Sequence, residues 1–97
     1  MTREDVFARL RQVLPAARAQ FAVRELSVFG SVVRDEARID SDVDVLVDFE
    51  GPATFDGFMG LKALLEDTLG ARIDLVTRAA LRPRLRSRIE AEARRVA

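Results

Sequence analysis

Hydrophobic and polar residues alternate most regularly between Asp42 and Phe49. Val43, Val45, Val47 and Phe49 point one way; Asp42, Asp44, Leu46 and Asp48 point the other. A period of two predicts a half-buried strand, ended by Glu50-Gly51-Pro52. Upstream, Val6, Leu10, Val13 and Leu14 recur at helical spacing behind Thr2, a capping residue with Asp5 three positions on. Pro15 is expected to stop or restart that helix, leaving a short second piece from Ala16 to Gln20. Val23 to Phe29 reads as another strand, ending at the turn signal Gly30-Ser31. Val32 to Ala37 has room for one or two helical turns. Phe55, Phe58, Leu61, Leu65 and Leu69 mark an amphipathic helix closed by Gly70. Arg72 to Val76 is a short strand, and Leu85, Ile89 and Ala93 line one face of a final Arg-rich helix. The order helix, strand, short helix, strand, helix, strand, helix predicts a small α/β (α+β) domain whose sheet is covered mainly on one face.

Composition narrows the chemistry. The chain has 97 residues, read as one domain over 1–97, with no Cys and no His. That removes disulfides, thiolate metal sites, cysteine nucleophiles and the commonest general base. Catalysis must then run on carboxylates, hydroxyls, Arg, backbone N–H groups or a hard metal ion. No apolar run is long enough to span a bilayer and no signal-peptide core is visible, so a cytoplasmic protein without a membrane partner is expected. Net charge is zero but segregated. From Asp35 to Asp74 there are 11 acids against Arg38, Lys62 and Arg72; from Arg78 to Ala97 there are seven Arg against Glu90 and Glu92. The acid cluster suits cations, and the basic tail is read as a solvated helix face or a partner surface.

Asp42 and Asp44, at i and i+2, project from one face of a strand and repel each other unless a cation lies between them. Oxygen ligands without His or Cys suit Mg²⁺ or Mn²⁺ rather than Zn²⁺, and Mg²⁺ favours a few carboxylates together with phosphate oxygens. The Gly30-Ser31 step supplies the phosphate half: a Gly at a strand end lets backbone N–H groups approach an anion, Ser31 adds a hydroxyl, and Arg34 adds a charge one turn on. If the Phe55–Leu69 helix is a right-handed crossover, the 72–76 strand lies parallel to the 43–49 strand and brings Asp74 beside Asp42 and Asp44. Three carboxylates there suit two-metal phosphoryl transfer. An EF-hand loop is excluded, because its Gly position holds Val45 and its terminal Glu position holds Gly51.

The stretch "FGSVVRDEARIDSDVDVLV" resembles the signature of the DNA polymerase β-like nucleotidyltransferase superfamily: Gly-Ser, about ten residues, then Asp-hydrophobic-Asp-hydrophobic. Size and the later "RIDLV" are similar to its minimal nucleotidyltransferase (MNT) branch. The resemblance implies the polymerase β-like fold, a small mixed sheet flanked by helices. It implies Gly30 and Ser31 at the triphosphate, Asp42 and Asp44 on both of a pair of Mg²⁺ ions, and Asp74 on the catalytic one. MNT proteins commonly pair with a small HEPN ribonuclease as its antitoxin. The implied reaction is transfer of AMP from ATP to a tyrosine of that toxin, within a hetero-oligomer. Where the family often continues Gly-Ser-x-Ala-Arg-Gly, this chain has Val33 for the Ala and Asp35 for the Gly. Val33 is expected to crowd the short helix, and Asp35 to add negative charge near the triphosphate and remove a flexible backbone position.

Two other readings keep the fold. One is a non-catalytic module that neutralises the toxin by contact. The other is a nucleotidyltransferase for a small molecule, against which size argues, since one helix after the core elements leaves little for an acceptor pocket. Direct nucleic-acid binding is not expected. Phe55, Phe58 and Met59 read mostly as core by helical spacing, with one of them available to a partner, and the Arg face of the last helix is the other candidate partner surface.

Overall fold

The structure, a computed structural model, describes residues 1–96. Ala97, the last residue of the expected domain, lies outside the described residues. Helix α1 spans Arg3–Phe21, strand β1 Val23–Phe29 and strand β2 Val43–Phe49. Helix α2 (Phe55–Leu69), strand β3 (Ile73–Thr77), a 3₁₀ turn (Arg78–Ala80), helix α3 (Pro83–Glu92) and strand β4 (Arg94–Arg95) follow. The sheet order is β3-β2-β1-β4; β2 and β3 are parallel, and the other pairs are antiparallel. The expected crossover is therefore present, and the fold is the expected mixed sheet with helices. Among the described residues no helix is long and apolar enough to cross a membrane.

Helix α1 opens on the expected capping box. Thr2 Oγ1 accepts from the Asp5 N–H at 3.1 Å, and Asp5 Oδ2 accepts from the Thr2 N–H at 2.9 Å. The helix then runs unbroken through Pro15, contrary to the expected stop. Pro15 removes one backbone hydrogen bond, at a cost of about 3 kcal/mol. It sits on the exposed side, however, while Leu14 and Ala17 continue the buried stripe of Val6 and Leu10. Burying a leucine is worth about 1.5–3 kcal/mol, so extending the stripe offsets the proline.

The main core lies on one face of the sheet. Val6, Leu10, Leu14 and Ala17 of α1 and Leu61, Leu65 and Leu69 of α2 pack on Leu26, Val28, Val43, Val45, Val47, Ile73 and Leu75. This is the face that the alternation assigned to the valines. Phe55, expected on the buried stripe of α2, is instead 77% exposed; it begins the helix, beyond the last core contact. Leu46 points to the other face and is also buried, as is Leu81 after the 3₁₀ turn. None of the residues of α3 is fully buried, and the expected apolar face fails there: Leu85 is 46% exposed and Ala93 lies past the helix end. The chain instead returns as β4 beside β1, and Val96 enters the core.

Candidate active site

The outward face of the sheet carries one row of register partners. Phe29 of β1 is opposite Asp44 of β2, and Asp44 is opposite Asp74 of β3. Adjacent strands are about 4.8 Å apart, so the two carboxylates are neighbours by construction. Asp44 is half-buried, whereas Asp74 and Asp42 are exposed. Burial pushes the Asp44 carboxyl up to about 6. The Asp74 charge and a hydrogen bond to Asp74 push in the same direction, as does Asp42, while Arg34 pulls it down.

Asp42 stands just before β2 and turns elsewhere. Its Oδ1 lies 3.2 Å from Nε of Arg72, just before β3. The parallel register that pairs Val43 with Ile73 places these two preceding residues side by side. The structure thus brings Asp44 and Asp74 together and leaves Asp42 at the edge. Sequence reasoning missed Arg72, although the same crossover that places Asp74 also places it.

Gly30 closes the site from the side of β1. It has φ +74°, and a Cβ there would stand 2.1 Å from Asp44 Oδ2. Only glycine lets the backbone pass this close to the carboxylate. The expected helix over Val32 to Ala37 is a single turn. The Arg34 N–H donates to the Gly30 carbonyl at 3.2 Å, the Asp35 N–H to Val32 at 3.1 Å and the Glu36 N–H to Ser31 at 2.8 Å. The last two bonds form a Schellman stop, with Asp35 left-handed at φ 59°. Asp35 occupies the position where glycine is favoured, which ends the turn before it can become a helix. Among the described residues the N–H groups of Ser31, Val32 and Val33 make no backbone hydrogen bond, as at any helical start. Val33 does not crowd the turn: its side chain is buried in the core, and its carbonyl accepts from Arg3 Nη1 at 3.0 Å.

Arg34 is held by two carboxylates. Nε donates to Glu36 Oε1 at 2.9 Å, and Nη1 donates to Glu92 Oε1. Neither partner was legible: Glu36 sat within a supposed helix, and Glu92 is 58 positions away. Phe29, Gly30, Arg34, Leu85, Ile89 and Glu92 line a cleft of about 290 Å³ between this turn and α3.

The donor set is oxygen-only, as a hard divalent cation requires. Among the described residues no three His, Cys, Asp or Glu side chains form a ready cage. Mg²⁺ does not need one, since it takes one or two carboxylates and completes its shell with water and phosphate oxygens. Asp44 and Asp74 fit that demand, because their mutual repulsion at a half-buried position is what a cation relieves. Asp42 has Oδ1 on Arg72, which leaves its Oδ2 outside that ion pair.

A family model described as "Nucleotidyltransferase domain" matches residues 10–96. The protein adenylyltransferase MntA of Thermococcus cleftensis is 45% identical over 82 residues, covering 84% of this chain and 83% of that protein. A solved structure of a candidate minimal nucleotidyltransferase superposes with TM-score 0.84 at 42% identity, over 97% of this chain and 95% of that one. A chain from a tri-AMPylated Shewanella oneidensis HEPN toxin in complex with MNT antitoxin superposes with TM-score 0.72, over 99% of this chain and 72% of that one. At 14% identity the last match shows the shared fold alone.

Proposed function

The chain belongs to the nucleotidyltransferase domain family, and on that premise we propose that it is a Mg²⁺-dependent antitoxin that transfers AMP from ATP to a tyrosine of a HEPN ribonuclease toxin. The observation that carries the reading is the row Asp44–Asp74 set against Gly30, with the free N–H groups of the following turn beside it. Oxygen ligands for a cation and hydrogen-bond donors for phosphates lie close together where β1 ends and β2 begins.

In this reading Gly30 gives the triphosphate close access to the backbone. The N–H groups of the turn, the Ser31 hydroxyl and the Arg34 guanidinium bind its oxygens. Asp42, Asp44 and Asp74 would hold the metal ions. Bound there, Mg²⁺ lowers the pKa of the attacking hydroxyl and neutralises charge on the reacting phosphate. Mn²⁺ suits the same ligands. The tyrosine oxygen bonds to the α-phosphorus, the bond to pyrophosphate breaks, and the exposed Asp74 carboxylate takes the hydroxyl proton towards solvent.

The chain contains no Tyr, so a tyrosine acceptor must come from another molecule. A protein acceptor brings its own surface, which suits a site as open as this one. The name of the Thermococcus relative supports the adenylyl group and a protein substrate. The solved HEPN–MNT complex supports the toxin and a hetero-oligomer. The exposed Phe55 and Met59, one turn apart on α2, offer apolar surface for that contact. The reaction is assigned to the cytoplasm, where ATP and the toxin's RNA substrates meet.

The test is incubation of the purified chain with α-labelled ATP, Mg²⁺ and a HEPN toxin, read by intact mass and peptide mapping. We expect AMP-sized shifts on toxin tyrosine, abolished by a chelator. Label appearing only on Ser or Thr of the 97-residue chain itself would overturn the reading.

A further inference from the structure

The side chain of Arg34 has two anchors of different origin. Glu36 is local, two residues on. Glu92 comes from the last residue of α3, across the cleft that Phe29, Gly30, Arg34 and Ile89 line. Because α3 buries none of its residues fully, tight helix packing does not explain this contact. The two carboxylates take Nε and Nη1, and Nη2 keeps both of its hydrogens for another acceptor.

We propose that Glu92 is a positioning residue that holds the Arg34 guanidinium at the mouth of the Gly30–Ser31 turn, ready for a nucleotide phosphate. The inference rests on the reading of that turn as the triphosphate site. An unanchored arginine samples many rotamers, and Asp44 lies close enough to feel its charge. Released from Glu92, the guanidinium is free to fold onto Asp44 and Asp74, where it would block cation binding and leave the phosphate without its donor. Glu92 prevents this by fixing Nη1 on the α3 side of the cleft. Two carboxylates around one guanidinium also leave a net negative charge, which opposes a triphosphate, so the sign of the Glu92 effect is itself diagnostic.

The experiment is titration calorimetry with ATP–Mg²⁺, together with KM and kcat for transfer. It compares the full chain with Glu92→Gln, Glu92→Asp, Arg34→Ala and the Arg34→Ala/Glu92→Gln double variant. We expect Glu92→Gln to weaken ATP–Mg²⁺ binding about twofold to fivefold, the range of a partly exposed ion pair. KM should rise by the same factor and kcat should change less. Glu92→Asp should recover part of the loss, Arg34→Ala should lose more, and the double variant should match Arg34→Ala alone. Four results would overturn the proposal: tighter binding in Glu92→Gln; unchanged binding in Glu92→Gln while Arg34→Ala weakens; an added loss from Glu92→Gln in the Arg34→Ala background; or normal binding in Arg34→Ala. If Arg34→Ala itself binds normally, the phosphate role of Arg34 fails and Glu92 positions nothing. Parallel titration of Asp42→Asn/Asp44→Asn then reports separately whether the nucleotide site as a whole stands.

Discussion

Asp44 and Asp74 are register partners on adjacent parallel strands, so backbone pairing alone forces two carboxylates together on the outward face. No loop has to close to assemble them. The same pairing makes the site unfavourable without a cation, since a half-buried Asp44 faces like charge from Asp74 and Asp42. If a cation binds there as proposed, folding stability and cation binding are coupled through one residue.

That coupling sets a pH dependence. The Asp44 carboxyl is raised from 3.8 to about 6 in the folded chain. A carboxyl raised by folding favours the folded state fully below its unfolded value and loses that contribution as pH rises through the folded one. Without divalent cations, the thermal midpoint should fall, through this group, as pH climbs from about 4 to about 7. Asp44→Asn should flatten that limb and melt higher than wild type at neutral pH. Added Mg²⁺ should stabilise wild type increasingly above pH about 6, where the carboxylate is ionised, and should leave Asp44→Asn nearly unaffected. Melting curves across pH, with and without Mg²⁺, check all three statements.

Gly30 is held to glycine by two independent constraints. A side chain at φ +74° is strained, and its Cβ would overlap the Asp44 carboxylate. Gly30→Ala should cost about 2 kcal/mol, or roughly 10 °C in thermal midpoint for a domain of this size. It should also displace Asp44 and abolish ATP–Mg²⁺ binding. Normal binding in a correctly folded Gly30→Ala variant would show that the backbone does not approach the phosphate here.

Asp35 lies in the left-handed region at φ 59° and is exposed. Relief of that conformation favours glycine by about 1–2 kcal/mol, and the extra freedom of glycine in the unfolded chain takes back roughly half. Asp35→Gly should therefore stabilise the chain by about 0.5–1 kcal/mol. Removing a negative charge beside the turn should also tighten ATP binding at low salt and leave it nearly unchanged at high salt. Chemical denaturation and calorimetry at two ionic strengths separate the two effects.

Much of this was legible in the sequence because the relevant patterns are local. Alternation gave β2 and the face of its valines, and the crossover argument gave the parallel β3 and Asp74 beside Asp44. What escaped was decided mostly by contacts distant in sequence and, at Asp35, by a local backbone angle. Pro15 does not stop α1 because Leu14 and Ala17 reach the same core as Leu10. The Arg-rich segment reads as one long helix, but pairing with β1 and burial of Val96 pull its end out as β4. Asp35 resembled a charge problem in one dimension; its backbone angle shows it to be the stop of a Schellman turn. Glu92 on Arg34 and Arg72 on Asp42 belong to tertiary structure, and only the Arg72 contact could have been inferred from strand register.

The enzyme and contact readings separate most cleanly at Asp74. Asp44 is half-buried and opposes Gly30, so changing it alters the phosphate side of the site as well as the cation. Asp74 is exposed on the neighbouring strand and opposes Asp44 only. Asp74→Asn keeps the shape and removes one charge, which lowers repulsion on Asp44 and leaves the turn at Gly30 untouched. Ground-state binding of ATP–Mg²⁺ should survive within a few-fold. In the catalytic reading Asp74 is a ligand to the metal that activates the acceptor and acts on the transition state, so AMP transfer should slow by about a hundredfold or more. In cells, a catalytic antitoxin protects at substoichiometric levels, and Asp74→Asn should lose that protection while still binding the toxin. A contact antitoxin needs only its surface, which this substitution scarcely changes. Titrating antitoxin expression against a fixed dose of toxin, with complex formation measured alongside, decides between them. Full protection by Asp74→Asn at low expression would replace the catalytic reading with the contact one.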